Sequence, residues 1–268
     1  MIPSQYRSMV GFTKSGLRRV GFFMRFEPIN LPTYMRLHER VWPEMQTALV
    51  ACGWHNYNLF CGENGLAFGF FETDHDFATA CARMDAWPVN ARWQESMKEF
   101  TPLNLSPIEA AGQLTHFFYS GADHAVEREA PPLPPFDQTW SVQSFTGATR
   151  LGLTRTCFSL SLNASALQRL MDAHRTMPAE IRSDLHSNGI SALSLYARDD
   201  GMLVGFCESH GSEFAAALNA SDSTPHTTKW HKLLREHAVG ERTADVGTSP
   251  RVVVSMLRHY FYLGSCGT

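Results

Sequence analysis

Apolar residues along this chain recur with two periods, about two and about 3.6 residues, and the combined pattern is written twice. The first copy opens on a strand-like run at 19–26 (RVGFFMRF) and the second on a run at 153–162 (LTRTCFSLSL). An amphipathic helix follows in each. Over 34–49 (YMRLHERVWPEMQTAL), a step of about 100° per residue puts Leu37, His38, Val41, Met45, Ala48 and Leu49 with Tyr34 in a sector of roughly 120°. Arg36, Glu39, Arg40, Gln46 and Thr47 fall on the other side. Pro32 suits a first turn, whereas Pro43 inside the pattern predicts a kink. The second copy carries HRTMPAE at the matching place, 174–180.

The parallel continues to the end of each copy. Gly53 and Gly189 mark the helix ends and lead into GWHNYNLF (53–60) and GISALSLY (189–196). Tight turns CGENG (61–65) and ARDDG (197–201) precede the strands LAFGFFE (66–72) and MLVGFCE (202–208), which share Gly, Phe and Glu. A second helical region holds ARW (91–93) or TKW (228–230), and an aromatic strand closes each copy, QLTHFFYS (113–120) or VSMLRHYFYL (254–263). The order is β-α-β-β-α-β, the split βαβ arrangement of a ferredoxin-like fold. The expected class is α+β: two such repeats packed sheet to sheet, an intramolecular dimeric α+β barrel. The implied domains are a basic leader at 1–17, a first repeat at 18–120, a linker at 121–150 with four prolines in 131–135, and a second repeat at 151–268.

The 268 residues are 44% hydrophobic and 18% charged, with a net charge of −3, so no basic footprint for nucleic acid shows. No apolar run reaches the roughly 20 residues of a membrane span, and the leader has no apolar signal core. Six scattered cysteines without a CxxC pair imply neither zinc nor a disulfide framework, and a cytoplasmic setting is expected. No dinucleotide, P-loop or HExxH pattern occurs, so neither a cofactor nor a metal is expected. His226, His231 and His237 scatter around their helix and read as surface residues.

Tyr34 and His38 stand one helical turn apart on the apolar face. Such a pair is either satisfied within a core or lines a polar cavity, because a buried unpaired polar group costs about 1–3 kcal/mol. Trp93 fits a core or a stacking surface, Tyr57 is an ordinary strand residue, and Trp42 reads as packing. Glu72 and Glu208 end their strands, where a carboxylate is usually solvated, with Arg92 as a candidate partner; His116 can face either side of its strand.

Several segments together carry a resemblance: Tyr34 to Glu44 as Y-x-x-x-H-x-x-x-W-P-E, HNY at 55–57, LAFGFFE, PVNARW at 88–93 and HFFY at 116–119. In this order and spacing they resemble the L-rhamnose mutarotase family over 18–120, and the second repeat follows the layout more loosely. The resemblance implies a sugar pocket and interconversion of the α and β anomers of L-rhamnose or a related 6-deoxy sugar. It places His38 and Tyr34 as catalytic residues and Tyr57 and Trp93 against the sugar; Gln94 stands where the family often has a second tryptophan, which alters one wall. Histidine suits the chemistry because its ordinary pKa lies near 6.5. His174 and Trp230 match His38 and Trp93, but Leu170 and Leu193 replace the two tyrosines, so the second site reads as a remnant. The expected partner is a monosaccharide, with no nucleic acid or membrane, and the pseudo-dimer is expected to be monomeric. The rival readings are a non-catalytic sugar-binding protein on the same fold and another enzyme of the dimeric α+β-barrel group, such as a small monooxygenase.

Overall fold

A computed structural model of the chain describes residues 11–12, 17–101, 111–121, 153–210, 224–239 and 254–264. Most of the leader and nearly all of the linker lie outside the described residues. Two compact units result: one holds the described residues of 12–114 and those from Leu257 onward, the other those of 115–123 and 152–256.

The first repeat supplies strand β1 (Arg18–Arg25), helices α1 (Leu31–His38) and α2 (Pro43–Ala51), the hairpin β2 (His55–Cys61) and β3 (Leu66–Thr73), helices α3 (Phe77–Asp85) and α4 (Pro88–Met97), and strand β4 (Thr115–Gly121). The second repeat supplies β5 (Leu153–Ser161), α5 (Ala164–Arg175), α6 (Ala179–Ser187), β6 (Ile190–Ala197), β7 (Met202–His210), α7 (Pro225–Val239) and β8 (Val254–Leu263). The class is α+β, and the element order is the expected one except that each first helix is divided in two and the second helical region of the first repeat holds two helices, α3 and α4. α1 stops at His38, and α2 starts with Pro43 in its first turn. Proline lacks the N–H that a continuing helix needs but is well set for a first turn, so Pro43 begins a helix instead of kinking one. Leu37, expected on the apolar face, is exposed at the end of α1. The second repeat makes the same break before Ala179, with Pro178 as N-cap. Side-chain caps start other helices: Asp76 accepts from the Thr79 N–H at 2.7 Å, and Asn163 from the Ala166 N–H at 2.7 Å.

Both sheets are antiparallel and have matching strand orders. The first runs β1-β3-β2-β8 and the second β5-β7-β6-β4. The strands that close the repeats are thus exchanged: the last strand of the second repeat completes the first sheet, and the last strand of the first repeat completes the second. The repeats read along the sequence and the compact units differ by this one strand each.

The shared glycine of LAFGFFE and MLVGFCE has a packing cause. Gly69 pairs with Phe22, Gly205 with Phe158, and each aromatic ring lies across its glycine. A Cβ on Gly69 would stand 2.0 Å from Phe22 Cζ, and one on Gly205 2.1 Å from Phe158 Cζ. The freed ring of Phe22 stacks on Phe77 and meets Trp54 edge-on in the first core. Gly65, at φ +81°, closes the hairpin where a Cβ would meet the Phe26 carbonyl oxygen at 2.1 Å.

A chain ended after residue 253 lacks β8 and leaves the inner edge of β2 unpaired. The expected outcome is loss of the near-ultraviolet circular dichroism of the tryptophans in the first unit, with recovery when a peptide of residues 254–264 is added. A truncated chain with an unchanged spectrum would show that the strand is dispensable.

Candidate functional site

The first unit holds a cavity of about 60 Å³ between its sheet and its helices. That is room for a few waters. A pyranose is larger, and the thioethers of Met24, Met45 and Met84 are the lining groups that yield most readily. Tyr34, His38, Tyr57, Trp93 and Gln94, the five residues to which the family resemblance points, all line it. The break at Pro43 serves this wall: α2 turns so that Met45 and Leu49 reach the same space as Tyr34 and His38.

His38 is 6% exposed. Its Nδ1–H donates to the Tyr34 carbonyl one turn back, at 3.0 Å. A carbonyl only accepts, so this bond puts the proton on Nδ1 and the lone pair on Nε2. Burial pushes the imidazole pKa down to about 4, against the smaller opposing effect of the Tyr34 bond. The ring is packed at 4.3 Å from the Tyr34 ring and edge-on to Trp93 at 5.3 Å. Burial raises the Tyr34 phenol, and the neighbouring Tyr260 hydroxyl opposes that rise. Burial likewise holds the Tyr57 phenol well above its ordinary value.

Tyr57 reaches the cavity through an irregular strand. β2 carries a bulge between His55 and Asn58, and Asn56 within it is buried at φ +46°. Asparagine tolerates this left-handed conformation, which accounts for the middle residue of HNY. On the far wall, Gln94 Nε2 donates to Asn90 Oδ1 at 3.2 Å, and Asn90 Nδ2 donates to Asp85 Oδ1 at 3.5 Å. Asp85 and Asn90 line the cavity too, and sequence reading missed both; the i, i+4 spacing of Asn90 to Gln94 was the available signal.

Other expectations need correction. Glu72 and Glu208 are not solvated: they are 2% and 0% exposed. Glu72 pairs with Arg19 at 3.3 Å and Glu208 with Arg155 at 3.0 Å, both buried partners on the facing strand. Arg92 pairs with neither; it lies at the surface, 4.0 Å from Glu44 and over the Trp42 ring. Trp42 packs edge-on to Trp93 at 5.3 Å. His116 lies in the second unit against Tyr196, with ring centres 4.8 Å apart. Phe261 and Tyr260, from the last strand, stand beside His38 at ring distances of 5.8 and 5.4 Å.

In the second unit His174 repeats the geometry of His38. Its Nδ1–H donates to the Leu170 carbonyl at 2.8 Å, Trp230 stands edge-on at 5.6 Å, and burial lowers its pKa to about 4. Its i−4 neighbour is Leu170, without a hydroxyl. A groove of about 560 Å³ in this unit runs past Trp230, Ile181 and Thr176, and His174 does not line it. Among the described residues no cluster of three or more His, Cys, Asp or Glu side chains could hold a metal, and no helix is long and apolar enough to cross a membrane.

Both buried histidines tie stability to pH. Their folded pKa values, about 4, lie below the unfolded value of about 6.5. Between those limits the unfolded chain binds more protons than the folded one, so stability is full above about pH 6.5 and is lost as the pH falls toward about 4. Urea midpoints should fall across that window, and less steeply in His38→Gln. An unaltered slope in the variant would contradict a neutral, buried His38.

The L-rhamnose mutarotase family model matches residues 19–119 and again 155–263. The L-rhamnose mutarotase of Oceanobacillus iheyensis is 28% identical over 104 residues, 38% of this chain and 98% of that protein. The one from Klebsiella pneumoniae is 30% identical over 105 residues, 38% of this chain and 96% of that protein. Among solved structures, a candidate monooxygenase from Lactobacillus acidophilus is similar in fold alone: its TM-score is 0.51 at 9% identity, covering 93% of this chain and 96% of that one. With both repeats matched by the one family model, the chain belongs to the L-rhamnose mutarotase family, as a tandem duplication.

Proposed function

We propose that the first unit catalyses interconversion of the α and β anomers of L-rhamnose or a related 6-deoxy sugar. The observation that carries the reading is a neutral histidine with a fixed tautomer beside a tyrosine on the wall of a cavity, in a repeat that matches this family. Fold likeness alone does not choose an activity.

Ring opening breaks the C1–O5 bond, whose electron pair goes to O5, while the anomeric hydroxyl loses its proton and C1=O1 forms. The net proton movement is from O1 to O5. No oxidation state changes, so the reaction needs no redox cofactor. His38 Nε2, carrying the lone pair, takes the O1 proton. O1 and O5 share one carbon, so the same imidazole reaches both and hands the proton on to O5. Tyr34, its phenol raised by burial, keeps its proton and donates a hydrogen bond to the ring oxygen. A phenolate facing an imidazolium in this apolar cavity would cost far more than a shared hydrogen bond. After rotation about C1–C2 the aldehyde recloses on its other face by the same steps reversed. Trp93 offers an indole for the C–H face of the sugar, and Tyr57 and Gln94 offer polar groups to its hydroxyls. The second unit, with leucines in place of both tyrosines, takes no part in the chemistry.

Saturation-difference proton NMR of L-rhamnose tests this directly. The wild-type chain should speed anomer exchange, and His38→Ala should lower the effect by about 10²-fold or more, the usual scale of a lost acid–base group. The rate should stay level from about pH 6 to about pH 9 and fall as His38 takes a proton near pH 4. No acceleration with L-rhamnose, L-fucose or other deoxy sugars would remove the catalytic assignment.

A further inference from the structure

The exchanged strand β8 brings a side chain that the assignment above does not use. Between His259 and Phe261 its pairing with β2 shifts by one residue, and Tyr260 is the extra residue of that bulge. A bulge sets two successive side chains near one face of a sheet. Tyr260 and Phe261 therefore both reach α1: the Tyr260 ring stands edge-on to Tyr34 at 5.9 Å and to His38 at 5.4 Å. Tyr260 is fully buried, and its hydroxyl reaches no well-aligned hydrogen-bond partner among the described residues.

The second unit provides an internal comparison. Its pairing of β4 with β6 shifts at the same place, between His116 and Phe118, and the extra residue is Phe117. The strand registers align Tyr260 with Phe117 and Tyr57 with Leu193, and the histidine bonds align Tyr34 with Leu170. The histidine, its carbonyl partner, the edge-on tryptophan and the bulge are common to both units. The three phenolic hydroxyls occur in the first unit only, and the three apolar replacements occur together. Tyr260 thus groups with the two tyrosines of the site and not with the shared scaffold.

We propose that Tyr260 is a positioning residue of the first-unit site: its hydroxyl donates to the Tyr34 hydroxyl and sets the direction in which Tyr34 offers its own proton to the sugar ring oxygen. The role of Tyr34 toward the sugar rests on the mutarotase reading; the contact between the two hydroxyls does not. The electrostatics of Tyr34 agree, since Tyr260 as donor offsets part of the rise that burial imposes on it; Tyr260 is itself raised chiefly by burial. The pair is loosely aligned, and catalytic hydrogen bonds of this kind tighten in the complex with substrate. The site is then a product of both repeats, because its outer hydroxyl arrives near the end of the chain.

Tyr260→Phe removes one oxygen from a ring whose counterpart in the second unit is already phenylalanine, so folding should survive. Its anomer-exchange kcat should fall about 3- to 10-fold, the scale of one hydrogen bond, with KM nearly unchanged. Tyr34→Phe/Tyr260→Phe should be no slower than Tyr34→Phe alone, because Tyr260 acts through Tyr34. A full-rate Tyr260→Phe, or losses that multiply in the double variant, would overturn the assignment. A second readout needs no activity: in protein labelled with ¹³Cζ-tyrosine, the Tyr34 signal, identified by its loss in Tyr34→Phe, should move in Tyr260→Phe. An unmoved Tyr34 signal would also overturn it. If the wild-type chain speeds no exchange, the mutarotase reading fails, and this signal alone decides the contact.

Discussion

The first sheet is complete only when a strand from the far end of the chain lies along β2. Strand β2 carries Tyr57 and sits between β3 and β8, so without β8 its edge would be bare beside an aromatic core. β8 satisfies that edge and, through its bulge, sets Tyr260 and Phe261 against Tyr34 and His38. An exposed apolar edge invites association with other chains, which makes this pairing a condition for an orderly fold as well as for the site. The second repeat thereby supplies side chains that pack against Tyr34 and His38 of the first.

Comparison of the two units separates scaffold from site. Both bury a histidine and fix its tautomer on the carbonyl four residues back. Both bury an arginine–glutamate pair across their first and third strands, Arg19–Glu72 and Arg155–Glu208. Such features belong to the fold: the pairs are costly to break once buried, and the imidazole bond satisfies a group with no access to water. The distinguishing features are hydroxyls. Tyr34 and Tyr57 put phenolic hydroxyls where the second unit has Leu170 and Leu193, and under the proposed function these are the partners a polyhydroxylated ligand would need.

Much of this was legible in the sequence because it is local. Period-two runs, the hairpin glycines and the i, i+4 pair of Tyr34 and His38 each follow from a few neighbouring residues. The strand exchange was not legible. HFFY and HYFY present the same alternation to the same neighbouring strand, so the pattern states that a closing strand is needed and is silent on which copy provides it. Burial of Glu72 was missed because its partner Arg19 is distant in sequence and adjacent only through the register of β1 with β3. Within a long amphipathic pattern Pro43 predicts a kink; the local rule that proline favours a first turn gives the break at once. Tyr260 escaped notice because its side chain faces the helix only by virtue of a bulge, which period-two reasoning does not contain.

The two histidines are held alike, one among hydroxyls and one among hydrocarbons. Long-range ¹H–¹⁵N spectra of the imidazoles, recorded with and without saturating L-rhamnose, test it most directly. The account predicts that His38 Nε2 moves on addition of sugar while His174 stays where it was, with Nδ1 protonated in both. A shift confined to His174, or equal shifts in both, would contradict it.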